Sequence, residues 1–160
     1  MKKDFWVKFL ATGFGCGYSP IFPGGIGAIL GFVVSLVVFL LPYSWRIIFI
    51  FCLSMLSIPI STRAEILFHE KDSPKIVIDE VIGVLIATIL LKNSGWVQIF
   101  GFQVPLFFFL GLLLFALFDA LKPFPALRTQ KLNGGLGVVL DDIIAGGYAA
   151  IILLLLIKII

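Results

Sequence analysis

Apolar residues fill this chain in long blocks, and the polar positions between the blocks predict where its helices begin and end. Stretches near Gly24–Leu41, Arg46–Ile60, Ile76–Leu91, Ile99–Leu121 and Leu136–Ile160 are apolar enough to lie in hydrocarbon. A helix needs about 17–25 such residues to cross it. The second and third stretches are short and are expected to be tilted, paired or incompletely inserted. Residues 5–22 are also apolar, but Gly13, Gly15, Gly17 and Pro20 interrupt them. There the pattern predicts no regular helix but an interfacial or re-entrant segment packed on protein. The expected fold is all-α: a polytopic transmembrane helical bundle of about four or five spans, with a Gly/Pro-rich N-terminal segment, forming a single domain over residues 1–160.

Composition agrees. Of 160 residues, 61% are hydrophobic and 13% charged, with a mean hydropathy of +1.17. A soluble domain is nearer 45–50% apolar and about 25% charged. The net charge of +3 is modest and implies no nucleic-acid partner. Its distribution says more. With a cytoplasmic N-terminus and five spans, Lys2, Lys3, Lys8, Arg63, Lys71, Lys75, Lys122, Arg128 and Lys131 fall inside, and Arg46, Lys92 and Lys158 outside. Positive charge belongs on the inside. Lys8 interrupts the first apolar run and no small-x-small motif follows, so no cleaved signal peptide is expected. Cys16 and Cys52 have neither disulfide nor metal spacing and are read as free thiols.

Five carboxylates change the picture. Asp79 and Glu80 open the third stretch, Asp119 closes the fourth, and Asp141 and Asp142 lie a turn or two into the fifth. In the orientation above, all five fall at one depth near the cytoplasmic face. A charge at the centre of a membrane helix costs roughly 2.5–3.5 kcal/mol, so such acids usually hold a cation or line a polar path. Asp79 and Glu80 are about 100° apart on a helix and are not expected to face one partner. Asp141 and Asp142 would repel unless a cation or shared proton intervened, and paired acids are a common way to hold Mg²⁺. Asp119 and Lys122 share a helix face before Pro123 ends the helix; the pair is either a helix-end ion pair or part of the site, with Lys122 on a phosphate.

Two glycine-rich loops, GFGCGYSPIFPGGIG from Gly13 and NGGLG from Asn133, each precede a predicted helix N-terminus, where free amides and the helix dipole favour anions. Gly13, Gly15, Ser19, Gly24, Gly25, Asn133, Gly134, Gly135, Lys122 and Arg128 are the candidate phosphate contacts. Close helix packing explains the glycines equally well. His69, the single histidine, stands in a charged loop and is read as a solvated surface group. Carboxylates for Mg²⁺, bases and amides for an anion, and an apolar body together describe a site for a phosphorylated membrane lipid. Asp79, Glu80, Asp141 and Asp142 are the expected metal ligands, and a remaining carboxylate of the five would activate water. The rival reading is an ion or proton pathway, which would spread its acids across the bilayer. A head-group phosphotransferase would carry a long DG…AR…G…D…D pattern, which is not found.

Four blocks in order, GFGCGYSPIFPGGIG, IVIDEVIG, FDALKPFP and NGGLGVVLDDIIAG, resemble the phosphatidylglycerophosphatase A family. The resemblance implies a Mg²⁺-dependent phosphatase of the bacterial inner membrane that converts phosphatidylglycerophosphate to phosphatidylglycerol at the cytoplasmic side. It implies Asp79, Glu80, Asp119, Asp141 and Asp142 as the acidic set, with Asp72 matching an acid ahead of the second block. The chain has Gly25 where the family commonly has Thr, Ala116 where it has Arg, and Asn133 where it has His. Loss of that Arg leaves Lys122, Arg128 and Lys131 as bases nearby, and a different lipid phosphate as an alternative substrate. Whether the protein forms homo-oligomers is left open.

Overall fold

A computed structural model describes residues 2–91, 96–99, 102–129 and 132–159. Among these residues the chain forms seven α-helices, a 3-10 turn at Cys16–Tyr18 and one small hairpin. In order, the helices and strands are α1 (Lys2–Ala11), α2 (Pro23–Val38), α3 (Tyr43–Phe68), α4 (Ile78–Thr88), strands β1 (Val97–Ile99) and β2 (Phe102–Val104), α5 (Leu106–Leu121), α6 (Ala126–Thr129) and α7 (Gly135–Ile159). The bundle is built around α4, which packs against α2, α3, α5 and α7.

α4 corrects the expected third span. Its 11 residues rise only about 16 Å, against about 30 Å of hydrocarbon. Nine of them, from Ile78 to Thr88, are buried by protein. A helix enclosed by neighbours can be apolar on every face without touching lipid. α3 and α7, with 26 and 25 residues, are the two described helices long and apolar enough to cross a membrane; α2 and α5 are shorter apolar helices.

Three other expectations change. Residues 2–11 are helical, because every glycine and proline of the N-terminal segment lies beyond Thr12. α3 runs on to Phe68, through residues read as a charged loop, and ends where His69 turns left-handed at φ 55°. The fourth stretch begins as the β1–β2 hairpin, in which Gln98 pairs with Gln103.

Two ties join the N-terminal part to α4. The Val77 amide donates to the Ala11 carbonyl at 2.8 Å, just before α4 begins. At its other end, Arg46 donates to the carbonyls of Leu41 and Leu91 at 2.8 and 3.0 Å and stacks 4.1 Å from the Phe39 ring centroid. One guanidinium thus caps the exits of α2 and α4.

Candidate active site

In IDEVIG and DDIIAGG an aspartate precedes a glycine by four residues: Asp79 and Gly83, Asp142 and Gly146. Four residues bring both members of each pair onto one helix face. α4 and α7 meet at these glycines. A β-carbon at Gly146 would collide with the Gly83 carbonyl, and one at Gly83 with the Phe115 ring. Such an approach requires glycine. One turn earlier on each helix, the same faces present Asp79 and Asp142. Gly83 and Gly146 were absent from the candidates drawn from sequence; the shared D-x-x-x-G spacing is the signal that points to them.

Oxygens of Asp79, Glu80 and Asp142 lie within 4.8 Å of one another, and so do oxygens of Asp119, Asp141 and Asp142. Asp142 belongs to both triads, so acids from α4, α5 and α7 form one cluster. Asp79, Asp141 and Asp142 are almost completely buried. The expectation that Asp79 and Glu80 diverge too far to share a partner is overturned, since both reach Asp142. The longer glutamate side chain spans the angular offset.

Lys122 serves one side of this cluster. Its Nζ donates to Asp141 Oδ2 at 2.6 Å and lies 3.3 Å from Asp119 Oδ1. Burial works against the lysine charge, but Asp141 outweighs it and raises the pKa above the ordinary lysine value. Among the described residues, no basic side chain pairs with Asp79, Glu80 or Asp142. Asp79 Oδ1, Glu80 Oε2, Asp141 Oδ1 and Asp142 Oδ2 are buried without a hydrogen-bond partner. Unpartnered buried carboxylate oxygens are costly. A converging set of hard oxygen donors fits a cation such as Mg²⁺.

A groove of about 410 Å³ opens beside the cluster, between the start of α2 and the end of α5. Phe22, Gly24, Gly25 and Ala28 line one side, Phe115, Ala116 and Ala120 the other, with Glu80 and Asp119 reaching into it. A β-carbon on Gly24 would sit 2.5 Å from Glu80 Oε1. The first amides of α2 therefore lie at the edge of the acids, where a 16-residue helix concentrates positive potential.

The other candidate phosphate contacts lie elsewhere. Gly13 packs on Leu30 and Val77, and Gly15 has no close neighbour. The Ser19 hydroxyl bonds within its own turn, to Ile21. Gly134 and Gly135 press on Thr62 of α3, and the Gly135 amide already donates to the Thr62 hydroxyl at 2.8 Å. Asn133 is exposed, and Arg128 stacks over the Phe124 ring at 4.7 Å. Gly13, Gly134 and Gly135 allow close packing, and of the candidate glycines the structure brings only Gly24 and Gly25 to the acids. The Asp72 amide is held by Glu65 in the α3–α4 loop, and His69 is exposed. Lys131 lies outside the described residues.

Comparison with known proteins places the chain in a family. The phosphatidylglycerophosphatase A family model matches residues 9–157. Two proteins named phosphatidylglycerophosphatase A are similar. The one from Haemophilus influenzae is 31% identical over 91% of this chain and 85% of its own length; the one from Escherichia coli is 31% identical over 90% and 79%. A Bacteroides thetaiotaomicron protein, provisionally named a phosphatidylinositol-3-phosphatase, is 30% identical over 95% of this chain and 94% of its own length. No solved structure matches. With all four sequence blocks inside the matched region, the chain belongs to the phosphatidylglycerophosphatase A family.

Proposed function

We propose that this protein is a multi-pass phosphatase of the bacterial inner membrane that hydrolyses the terminal phosphomonoester of phosphatidylglycerophosphate, with Mg²⁺ as cofactor and its active site at the cytoplasmic face. The observation that carries this reading is the buried acid cluster, four of whose oxygens lack partners, beside a groove of about 410 Å³.

Asp79, Glu80 and Asp142 would hold the ion, with the free oxygen of Asp141 at its side. Bound there, Mg²⁺ would neutralise charge on the phosphate oxygens and polarise the phosphoryl group toward attack. The chain's own groups do the rest. Lys122 holds Asp141 and Asp119 in place. The first amides of α2, at Gly24 and Gly25, orient the phosphate. Asp119, only partly buried and lining the groove, accepts a proton from the attacking water. Water adds to phosphorus, the ester P–O bond breaks, and the leaving lipid oxygen takes up the proton held by Asp119 and departs as the alcohol.

The test is phosphate release by purified protein, with and without Mg²⁺, from phosphatidylglycerophosphate, phosphatidic acid and a soluble phosphomonoester. Mg²⁺-dependent release favouring the first lipid is expected. Release that survives complete chelation would remove the ion from the reaction. A second reading, another lipid phosphomonoester as substrate, is favoured by the name of the Bacteroides relative and by a groove whose lining includes no cation among the described residues. The same assay separates the two.

A further inference from the structure

The groove between α2 and α5 is lined by small residues, Gly25 and Ala28 of α2 and Ala116 and Ala120 of α5, together with the rings of Phe22 and Phe115, while Glu80 and Asp119 supply its polar end. Apolar stripes continue from it along the outside of both helices. Ile29, Val33 and Val37 run along α2, and Leu117, Leu113 and Phe109 along α5, each 49–61% exposed. Four-residue spacing keeps each stripe on one side of its helix. Continuous apolar surface of this kind is covered by lipid in a membrane protein. A ligand reaching the acids from this side therefore passes between two lipid-facing walls.

We propose that the α2–α5 groove admits the substrate sideways from the bilayer, head group toward the acids and acyl chains along the two stripes, and that Ala116 limits the bulk that can pass. This rests on the phosphatase reading above and adds to it the path and the limiting residue. Ala116, Asp119 and Ala120 share one face of α5. A helical side chain leans toward its helix's N-terminus, so bulk at 116 narrows the groove on the stripe side of Asp119. Gly25 is a poorer probe, because a β-carbon there meets the Phe22 ring at 2.6 Å.

Two measurements test the proposal. In the first, Ala116→Leu and Ala116→Phe are assayed on phosphatidylglycerophosphate and on phosphatidic acid in mixed micelles. For whichever lipid the native protein hydrolyses, kcat/KM should fall stepwise with side-chain size, by about 10-fold or more for Phe. The Mg²⁺-induced rise in Tm should persist, which separates a blocked path from a damaged cluster. Undiminished turnover by Ala116→Phe would overturn the role given to Ala116. The second measurement needs neither turnover nor a bulky variant. Ala116→Cys, in a chain with Cys16→Ser and Cys52→Ser, is labelled with maleimide in phosphatidylcholine vesicles containing Mg²⁺. Adding the phosphonate analogue of phosphatidic acid should slow labelling by about fivefold or more, since a head group seated at the acids covers position 116. Labelling at an unchanged rate would overturn the path. If the native protein releases phosphate from neither lipid, the phosphatase reading fails, while protection from labelling still decides whether lipid phosphate occupies the groove.

Discussion

Asp142 is the carboxylate common to both triads, so removing its charge should be felt more widely than at any neighbour. Asp142→Asn is predicted to lower phosphate release by about 10²–10⁴-fold while the protein still folds and inserts. Its metal response should change too. Saturating Mg²⁺ is predicted to stabilise the native protein, by about 2.7 kcal/mol at a hundredfold excess over Kd, whereas the variant should show little rise in Tm. In chelator the variant should be at least as stable as the native chain, because it no longer buries an unpartnered charge. A full Mg²⁺ response in Asp142→Asn would exclude it as a ligand. Lys122 carries a different prediction. Its pKa is raised on folding, so its stabilising pairs are complete below the ordinary lysine value of 10.5 and lost only as pH rises through the higher folded value. The Tm difference between native protein and Lys122→Met should therefore stay constant from about pH 7 to about pH 9; a gap that closes in that window would show that the ammonium titrates there. These acids were legible in the sequence because ionised groups in apolar runs have few neutral explanations. The division of labour was not. Whether Lys122 meets phosphate or carboxylate depends on which helix lies opposite, and spacing along the chain does not carry that.

At the scale of elements, the acid cluster depends on how closely α4 and α7 cross. Gly146→Ala puts a methyl against the Gly83 carbonyl and must push the helices apart one turn from Asp79 and Asp142. Overpacking of this kind costs about 1–3 kcal/mol. Displacing reacting groups by as little as an ångström can cost about 10²-fold in rate. Gly146→Ala should therefore lose stability, activity and much of the Mg²⁺ response together. Gly147, one residue on, has open space around its α-carbon, and Gly147→Ala should behave like the native protein in all three. Equal damage from the two substitutions would mean that α7 tolerates no alanine there, and the crossing argument would fall. The same crossing explains what the sequence hid. Hydropathy reports that α4 avoids water but not whether lipid or protein surrounds it, so an 11-residue core helix reads as a short span. α1 is masked in the pattern because its apolar residues run directly into the glycine turn that follows. By contrast, α2 and α7 lie close to the expected stretches and α5 ends where its stretch does, since Pro23, Pro123 and Gly134–Gly135 mark those ends in the chain itself.

For the whole molecule, the acid cluster and the Arg46 cap lie at opposite ends of α4. The N-termini of α4 and α7 and the C-terminus of α5 meet at the acids, while Arg46 closes the exits of α2 and α4. This polarity gives the proposed orientation a direct test. The loop joining α3 to α4, with Lys71 and Lys75 exposed, belongs to the acid end, and Ser44, exposed at the start of α3, belongs to the Arg46 end. α3, with its 26 residues, rises about 39 Å, enough to separate the two across the hydrocarbon. In a chain lacking Cys16 and Cys52, Ser44→Cys should react with a membrane-impermeant maleimide in intact cells whose outer barrier has been opened. Lys71→Cys should react only once the inner membrane is permeabilised. The reverse pattern would place the acids outside, against the excess of basic residues at that end. Labelling of both without permeabilisation would mean that α3 does not cross the membrane. The bundle would then rest on one face of the bilayer, and its apolar outer stripes would need another partner.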